Sequence, residues 1–283
     1  MKKPKHTKYK LDSGFSLLEV LVAIIAITFF SAAALQMMVI SAAFKAKARE
    51  YTTAANLIQQ DLENIKNQAG QFRFPGVVMP TGASSITPPN PPGSTTIEVE
   101  SVDNFATTDR IQFTGTPDVY DNFTIDTSNN TVTIPSPGLR TTINEQRDNG
   151  GSAILLNNTL CSGTANNGLA AKLRETTDDN LTTQGFPNFS GSVVSSEVPG
   201  GEDSDQLPSD YGDYKAVSGY APYTIANTDR KLWLMRKEEP VSNGVLEVRY
   251  LVVKDQNNLP GSTISGKLYS EVIPDASYQC IKR

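Results

Sequence analysis

Histidine is nearly missing from this chain: 283 residues contain one, His6. Beyond that position no imidazole remains, which excludes Ser-His-Asp and Cys-His nucleophile systems and the commonest transition-metal ligand from everything that follows. No metal-ligand spacing, Gly-rich phosphate loop or nucleophile motif takes its place. The sequence therefore predicts no enzyme, no catalytic residue, no cofactor and no metal centre. Cysteine is scarce too, with Cys161 and Cys280 alone. Between residues 20 and 44 there is no charge, glycine or proline for 25 residues. A strongly basic surface is lacking as well. Lys2, Lys3, Lys5, Lys8 and Lys10 against Asp12 give the first 14 residues a net +4, and subtracting that from the whole-chain −5 leaves −9 for the rest. An acidic remainder repels phosphates, so nucleic acid is not an expected partner.

The uncharged run is about 38 Å long as a helix. It exceeds the ~30 Å of bilayer hydrocarbon, so residues 20–44 read as one tilted membrane span. The lysine cluster before it favours a cytoplasmic N-terminus, with the remainder exported. An ordinary secretory signal carries its small-residue cleavage site after the apolar core. Here the small residues Ser13 and Gly14 come before it, so cutting at Gly14 keeps the apolar segment on the mature protein. Glu19 stands out, since a carboxylate near hydrocarbon is costly unless it has a partner. The α-amino group that cleavage creates on Phe15 supplies a cation at the same depth.

The string Gly14-Phe15-Ser16-Leu17-Leu18-Glu19-Val20-Leu21-Val22-Ala23 resembles the processing site of type IV pilins and type II secretion pseudopilins. The resemblance covers the first fifth of the chain. It implies cleavage after Gly14 by prepilin peptidase, methylation of the new N-terminus at Phe15, and a role for Glu19 in subunit assembly. It further implies other pilin or pseudopilin subunits, an inner-membrane assembly platform and the lipid bilayer as partners. The protein would be single-pass in the inner membrane before assembly and part of a pilus or pseudopilus afterwards. Many major pilins carry a proline or glycine within this helix. Its absence here, with Ala34-Leu35-Gln36, looks more like a minor pilin or pseudopilin.

The expected fold class is α+β: a long N-terminal helix running into a β-rich head. Residues 1–14 form a leader, and 15–69 the helix, membrane-spanning over 20–44 and amphipathic over 45–69. In the second part Phe44, Ala48, Tyr51, Ala55, Ile58, Leu62, Ile65 and Ala69 recur at spacings of four and three, with Asp61 among the polar residues between them. Gly70 and Pro75 are read as its stop. This stripe predicts packing against the chain's own sheet rather than a coiled coil. Residues 70–94, with six prolines, read as a linker or irregular loop. A small β module is expected over 95–156, from short alternating segments separated by turn residues.

Residues 157–283 form the remainder of the head. Its start, 157–213, reads as long surface loops with few strands. Glu202, Asp203, Asp205, Asp210 and Asp213 there form a solvated acidic stretch without the order of a calcium loop. The segments 231–236 and 245–253 flank Pro240 and Asn243-Gly244, predicting a hairpin with a loop longer than two residues. Trp233 is expected in the core where this sheet meets the helix. Cys161 sits in a polar turn and Cys280 near the chain end, settings unlike a core, so a disulfide between them is expected, with two separate buried thiols as the alternative. Structural assembly is the leading functional reading; a pilus-borne adhesin, its head binding a surface or polysaccharide, is the other.

Overall fold

The computed structural model describes residues 17–144, 153–185 and 211–281. Helix α1 spans Leu17–Gln71. The chain divides into two compact units, Met1–Thr52 and Thr53–Arg283. In the first, residues 17–52 lie within α1. The apolar residues that lack any helix breaker are helical throughout, because every backbone group is satisfied within the segment.

The second unit holds residues 53–71 of α1 and a β-rich head. Its strands are β1 (Ser85–Ile86), β2 (Thr95–Glu98), β3 (Ile111–Phe113), β4 (Val119–Tyr120), β5 (Thr124–Asp126), β6 (Thr131–Ile134), β7 (Ile143–Asn144) and β8 (Leu155–Asn157). Helices α2 (Asn158–Cys161) and α3 (Leu169–Asp178) follow, then β9 (Leu181–Gly185), β10 (Lys215–Val217), β11 (Tyr223–Thr224), β12 (Lys231–Ser242), β13 (Val245–Gln256), β14 (Leu259–Val272) and α4 (Asp275–Ile281). An antiparallel sheet runs in the order β14-β13-β12-β10-β9, with β11 on β12.

The helix packs on this sheet through Ala54, Leu57, Ile58, Leu62, Ile65 and Ala69. Each Leu or Ile buried here is worth roughly 1.5–3 kcal/mol. Facing residues on the strands are Leu232, Leu234, Val248, Tyr250 and Val252. Two details depart from the stripe read above. Ala54, not Ala55, is the buried alanine, and Asp61 lies buried within the stripe instead of beside it. Gly70 does not end the helix, which continues through Gln71, and Phe72 N–H still donates to Gln68 O at 2.9 Å. Pro75, which lacks an N–H, follows the last turn.

The 70–94 segment is not a free linker. Phe72, Phe74 and Val77 are buried, β1 pairs with β7, and isolated bridges join Gly76 to Ile154 and Val77 to Val99. Its apolar residues drive that burial, while most of the prolines fall in stretches without ladder partners. Three small sheets, β1-β7, β2-β6-β5 and β4-β3-β8, then enclose a second core around Ile97, Ile111, Phe113, Val132 and Ile143. Strand β8 joins the cores: Leu155 points into the second and Leu156 into the first, as the period of two requires.

Residues 157–213 hold more structure than the loop reading allowed. Helix α3 buries Leu169, Ala170, Leu173 and Thr177 along one face. The β12–β13 hairpin turns through Asn243-Gly244 alone, a two-residue connection and not a longer loop. Pro240 stays inside β12, opposite Leu246, beside a register shift and beyond the part of β12 that pairs with β10. Trp233 is buried, but on the sheet face away from the helix, with Met235, Leu251, Val253 and Ile264. Alternation explains this, since Leu232 and Leu234 occupy the helix face. Its indole N–H donates to Asp255 Oδ1 at 2.7 Å.

The hairpin tip also caps α3. Asn243 Oδ1 accepts from Leu169 N–H at 2.9 Å, its backbone oxygen accepts from Ala170 N–H at 2.7 Å, and its Nδ2 donates to Cys161 O at 2.8 Å. Gly168 is required beside it, because a Cβ there would stand 1.8 Å from Asn243 Oδ1. Asn243→Ala removes a side-chain cap and takes a donor from the half-buried Cys161 carbonyl. It is expected to destabilise the head by about 1–2 kcal/mol. Urea denaturation followed by emission of Trp233, the only tryptophan, measures this; an unchanged midpoint would discount the cap.

Candidate functional site

The first unit holds the longest run of exposed large apolar side chains among the described residues. Leu17 is 85% exposed and Phe29 and Phe30 75% each, and the flanking Ile, Val, Met and Leu side chains are open as well. This is one helix long and apolar enough to cross a membrane, with none of its most apolar window buried. Thr28 satisfies its hydroxyl within the helix, donating to Ile24 O or Ile25 O at 3.0 and 2.9 Å, so it needs no water. Glu19 lies in the first turn of α1, where the helix dipole favours a carboxylate. Gly14 and Phe15 fall outside the described residues, as do Glu202, Asp203, Asp205 and Asp210. Lys45, Lys47 and Arg49 follow the apolar run directly, and Lys47 Nζ lies 5.5 Å from the centre of the Tyr51 ring. Amphipathic cations and an aromatic ring are the side chains that suit a membrane–water boundary.

In the head, the residues that tie helix to sheet include charges. Arg236 on β12 is wholly buried, and its Nη1 donates to Asp61 Oδ2 on α1 at 2.7 Å. Tyr250 on β13 donates its hydroxyl to the same oxygen at 2.8 Å. Arg236 Nη2 donates to the Thr177 carbonyl of α3 at 2.7 Å. Glu238, also on β12, places Oε1 2.7 Å from Arg236 Nε, although neither atom has an aligned hydrogen bond. Its other oxygen lies 2.5 Å from Thr177 Oγ1. Burial alone pulls the Arg236 guanidinium down, but its net shift is upward, and the Asp61 carboxylate that accepts from it favours the charged form. Burial, with the Asp61 charge behind it, pushes the Tyr250 hydroxyl far up, so it stays a donor.

Nothing in the sequence reading singled out this cluster, yet two signals point to it. Asp61 falls between Ile58 and Ile65 at core spacing, and Arg236 continues the inward alternation of Leu232 and Leu234. Cavities flank it on both sides. One of about 300 Å³ is lined by Arg174, Asp178, Lys215 and Glu238 among others, and one of about 550 Å³ by Gln60, Asp61, Asn64 and Tyr220 among others. Asp213 is engaged by Lys237 at 3.0 Å. Among the described residues, no three His, Cys, Asp or Glu side chains converge to hold a metal.

Cys161 and Cys280 form a disulfide, with Cα atoms 5.5 Å apart, linking α2 to α4. Helix α4 is held further by Ala276 N–H donating to Phe72 O at 2.9 Å and by Gln279 Oε1 accepting from Phe74 N–H at 2.6 Å. The C-terminal helix thereby closes over the exit from α1. Comparison with protein-family models, curated proteins and solved structures finds no match to this chain.

Proposed function

We propose that the protein is a type IV pilin-like subunit, a minor pilin or pseudopilin, assembled into its filament through α1. The observation that carries this reading is the exposed apolar surface of residues 17–44, preceded by the Gly14-Phe15 junction and bearing a single acid, Glu19. An apolar helix exposed over its whole circumference has no stable place in water. Lipid before assembly and the helices of neighbouring subunits afterwards both supply apolar surroundings. In the assembled state Glu19 pairs with the N-terminal amine of a neighbour's Phe15, because an unpaired charge at low dielectric is costly.

Two measurements test this together. The intact mass of the protein from its native membrane is expected to match a chain starting at Phe15 and carrying one added methyl group. Glu19→Ala is expected to leave that mass change intact while depleting the subunit from sheared filament fractions. An N-terminus within or beyond the apolar run would make the segment an ordinary signal peptide and end the pilin reading. Undiminished recovery of the Ala variant would remove the docking role alone.

A further inference from the structure

The buried cluster contains two carboxylates, Asp61 and Glu238, around one guanidinium, Arg236, with side chains 3%, 1% and 0% exposed. The three aligned donors, Arg236 Nη1, Arg236 Nη2 and Tyr250 O–H, serve Asp61 and the Thr177 carbonyl. Glu238 receives proximity to Nε but no aligned bond from it. With both acids ionised the cluster would carry a net negative charge away from water, and one carboxylate would be poorly compensated.

Proton placement around Thr177 resolves this. Its hydroxyl has one hydrogen, yet Oγ1 lies within bonding distance of Glu238 Oε2 at 2.5 Å and of Arg174 O at 3.0 Å. If Glu238 Oε2 carries a proton, it donates to Thr177 Oγ1, Thr177 donates to Arg174 O, and the cluster becomes neutral. If Glu238 is ionised, the single Thr177 hydrogen must turn to it.

We propose that Glu238 is held as a neutral carboxylic acid that fastens the C-terminal end of α3 to the sheet, so that loss of its proton loosens this end of α3. The opposite end stays fixed, because Asn243 caps the N-terminus of α3 and holds the carbonyl of disulfide-bonded Cys161. The latch therefore acts on one end of one helix. The groups facing Glu238 are Arg236 on its own strand, Asp61 from α1, Tyr250 from β13 and Asp178 from α3. Arg174, Asp213, Lys215, Lys237 and Glu239 line the adjoining cavity. Burial pushes the Glu238 carboxyl up, as do the charges of Asp178 and Asp61, against Arg236 and the Thr177 hydrogen bond.

The sign follows from linkage. A carboxyl whose folded pKa is raised stabilises the fold fully below its unfolded value, about 4.3 for glutamate. That contribution is lost as pH rises through the folded value. The stability of this head is thus expected to fall with rising pH, up to about tenfold in the unfolding equilibrium constant per pH unit for one proton.

The test uses the full chain in detergent, with urea denaturation read by Trp233 emission from pH 5 to 8. Glu238→Gln, which cannot ionise, is expected to remove that pH dependence. Infrared spectra of the wild type at pH 6 are expected to show a protonated-carboxyl stretch that the variant lacks. Equal pH slopes in wild type and variant would overturn the latch. So would the absence of a protonated-carboxyl band in the wild type, which decides the matter even if the variant does not fold. Neither readout depends on filament assembly, so the latch and the pilin reading stand or fall separately.

Discussion

Arg236→Ala is expected to destabilise the head by about 3–5 kcal/mol, the range for breaking a buried ion pair from one side. Most of that cost comes from what is left behind. Asp61 loses its guanidinium donor, Glu238 loses its nearest cation, and the Thr177 carbonyl loses the donor that reaches it from the sheet. The buried Asp61 carboxylate, left without its counter-charge, must then take up a proton or unfold its surroundings. Arg236→Lys should recover only part of the loss, because one ammonium cannot reach the three sites that the planar guanidinium spans. Urea denaturation read by Trp233 gives the measurement, with the slope checked to confirm that the same surface is exposed. A loss below about 1 kcal/mol would show that the cluster is wet rather than dry, since surface ion pairs are worth no more than that.

Reducing the Cys161–Cys280 disulfide, or replacing both cysteines by serine, is expected to cost up to about 4–5 kcal/mol. The bond closes a loop of 119 residues, and the chain-entropy relation gives this figure for a loop of that length. The effect should be concentrated on α4. Without the bridge, its docking rests on the Ala276–Phe72 and Gln279–Phe74 hydrogen bonds and on burial of Ala276. Amide exchange of α4 should therefore rise more than that of β12–β14. Denaturation with and without reductant decides the first point, and an unchanged midpoint would show that the bridge contributes nothing. In unreduced protein, denaturation should reveal no thiol that labels.

The pattern of α1 was readable from the residues because its cause is local. Twenty-five residues without a charge or helix breaker can only be helical in lipid, and the Ile58-Leu62-Ile65-Ala69 spacing marks one face as apolar. The short strands of the β module and the 231–253 hairpin were visible for the same reason, through alternation of period two. Structure departs from the local pattern where a partner distant in sequence decides the conformation. Helix α3 is not legible in the sequence because its buried face is short and its cap, Asn243, lies 74 residues away. The proline-rich 70–94 segment reads as a linker or irregular loop because two of the residues that order it, Ile154 and Gln279, lie far along the chain.

Taken by itself, then, the sequence determined the apolar helix, the single acid near its start, the α+β class and the one pairing open to two cysteines. Tertiary structure alone decided that Trp233 faces away from the helix and that Arg236 and Glu238 meet Asp61 in a buried cluster beside Thr177. The division has a physical basis. Backbone hydrogen bonding and apolar periodicity act between residues a few positions apart, whereas the charge state of a buried group depends on what surrounds it from every side. Asp61 and Arg236 are 175 residues apart, and nothing local to either one shows that the two are partners.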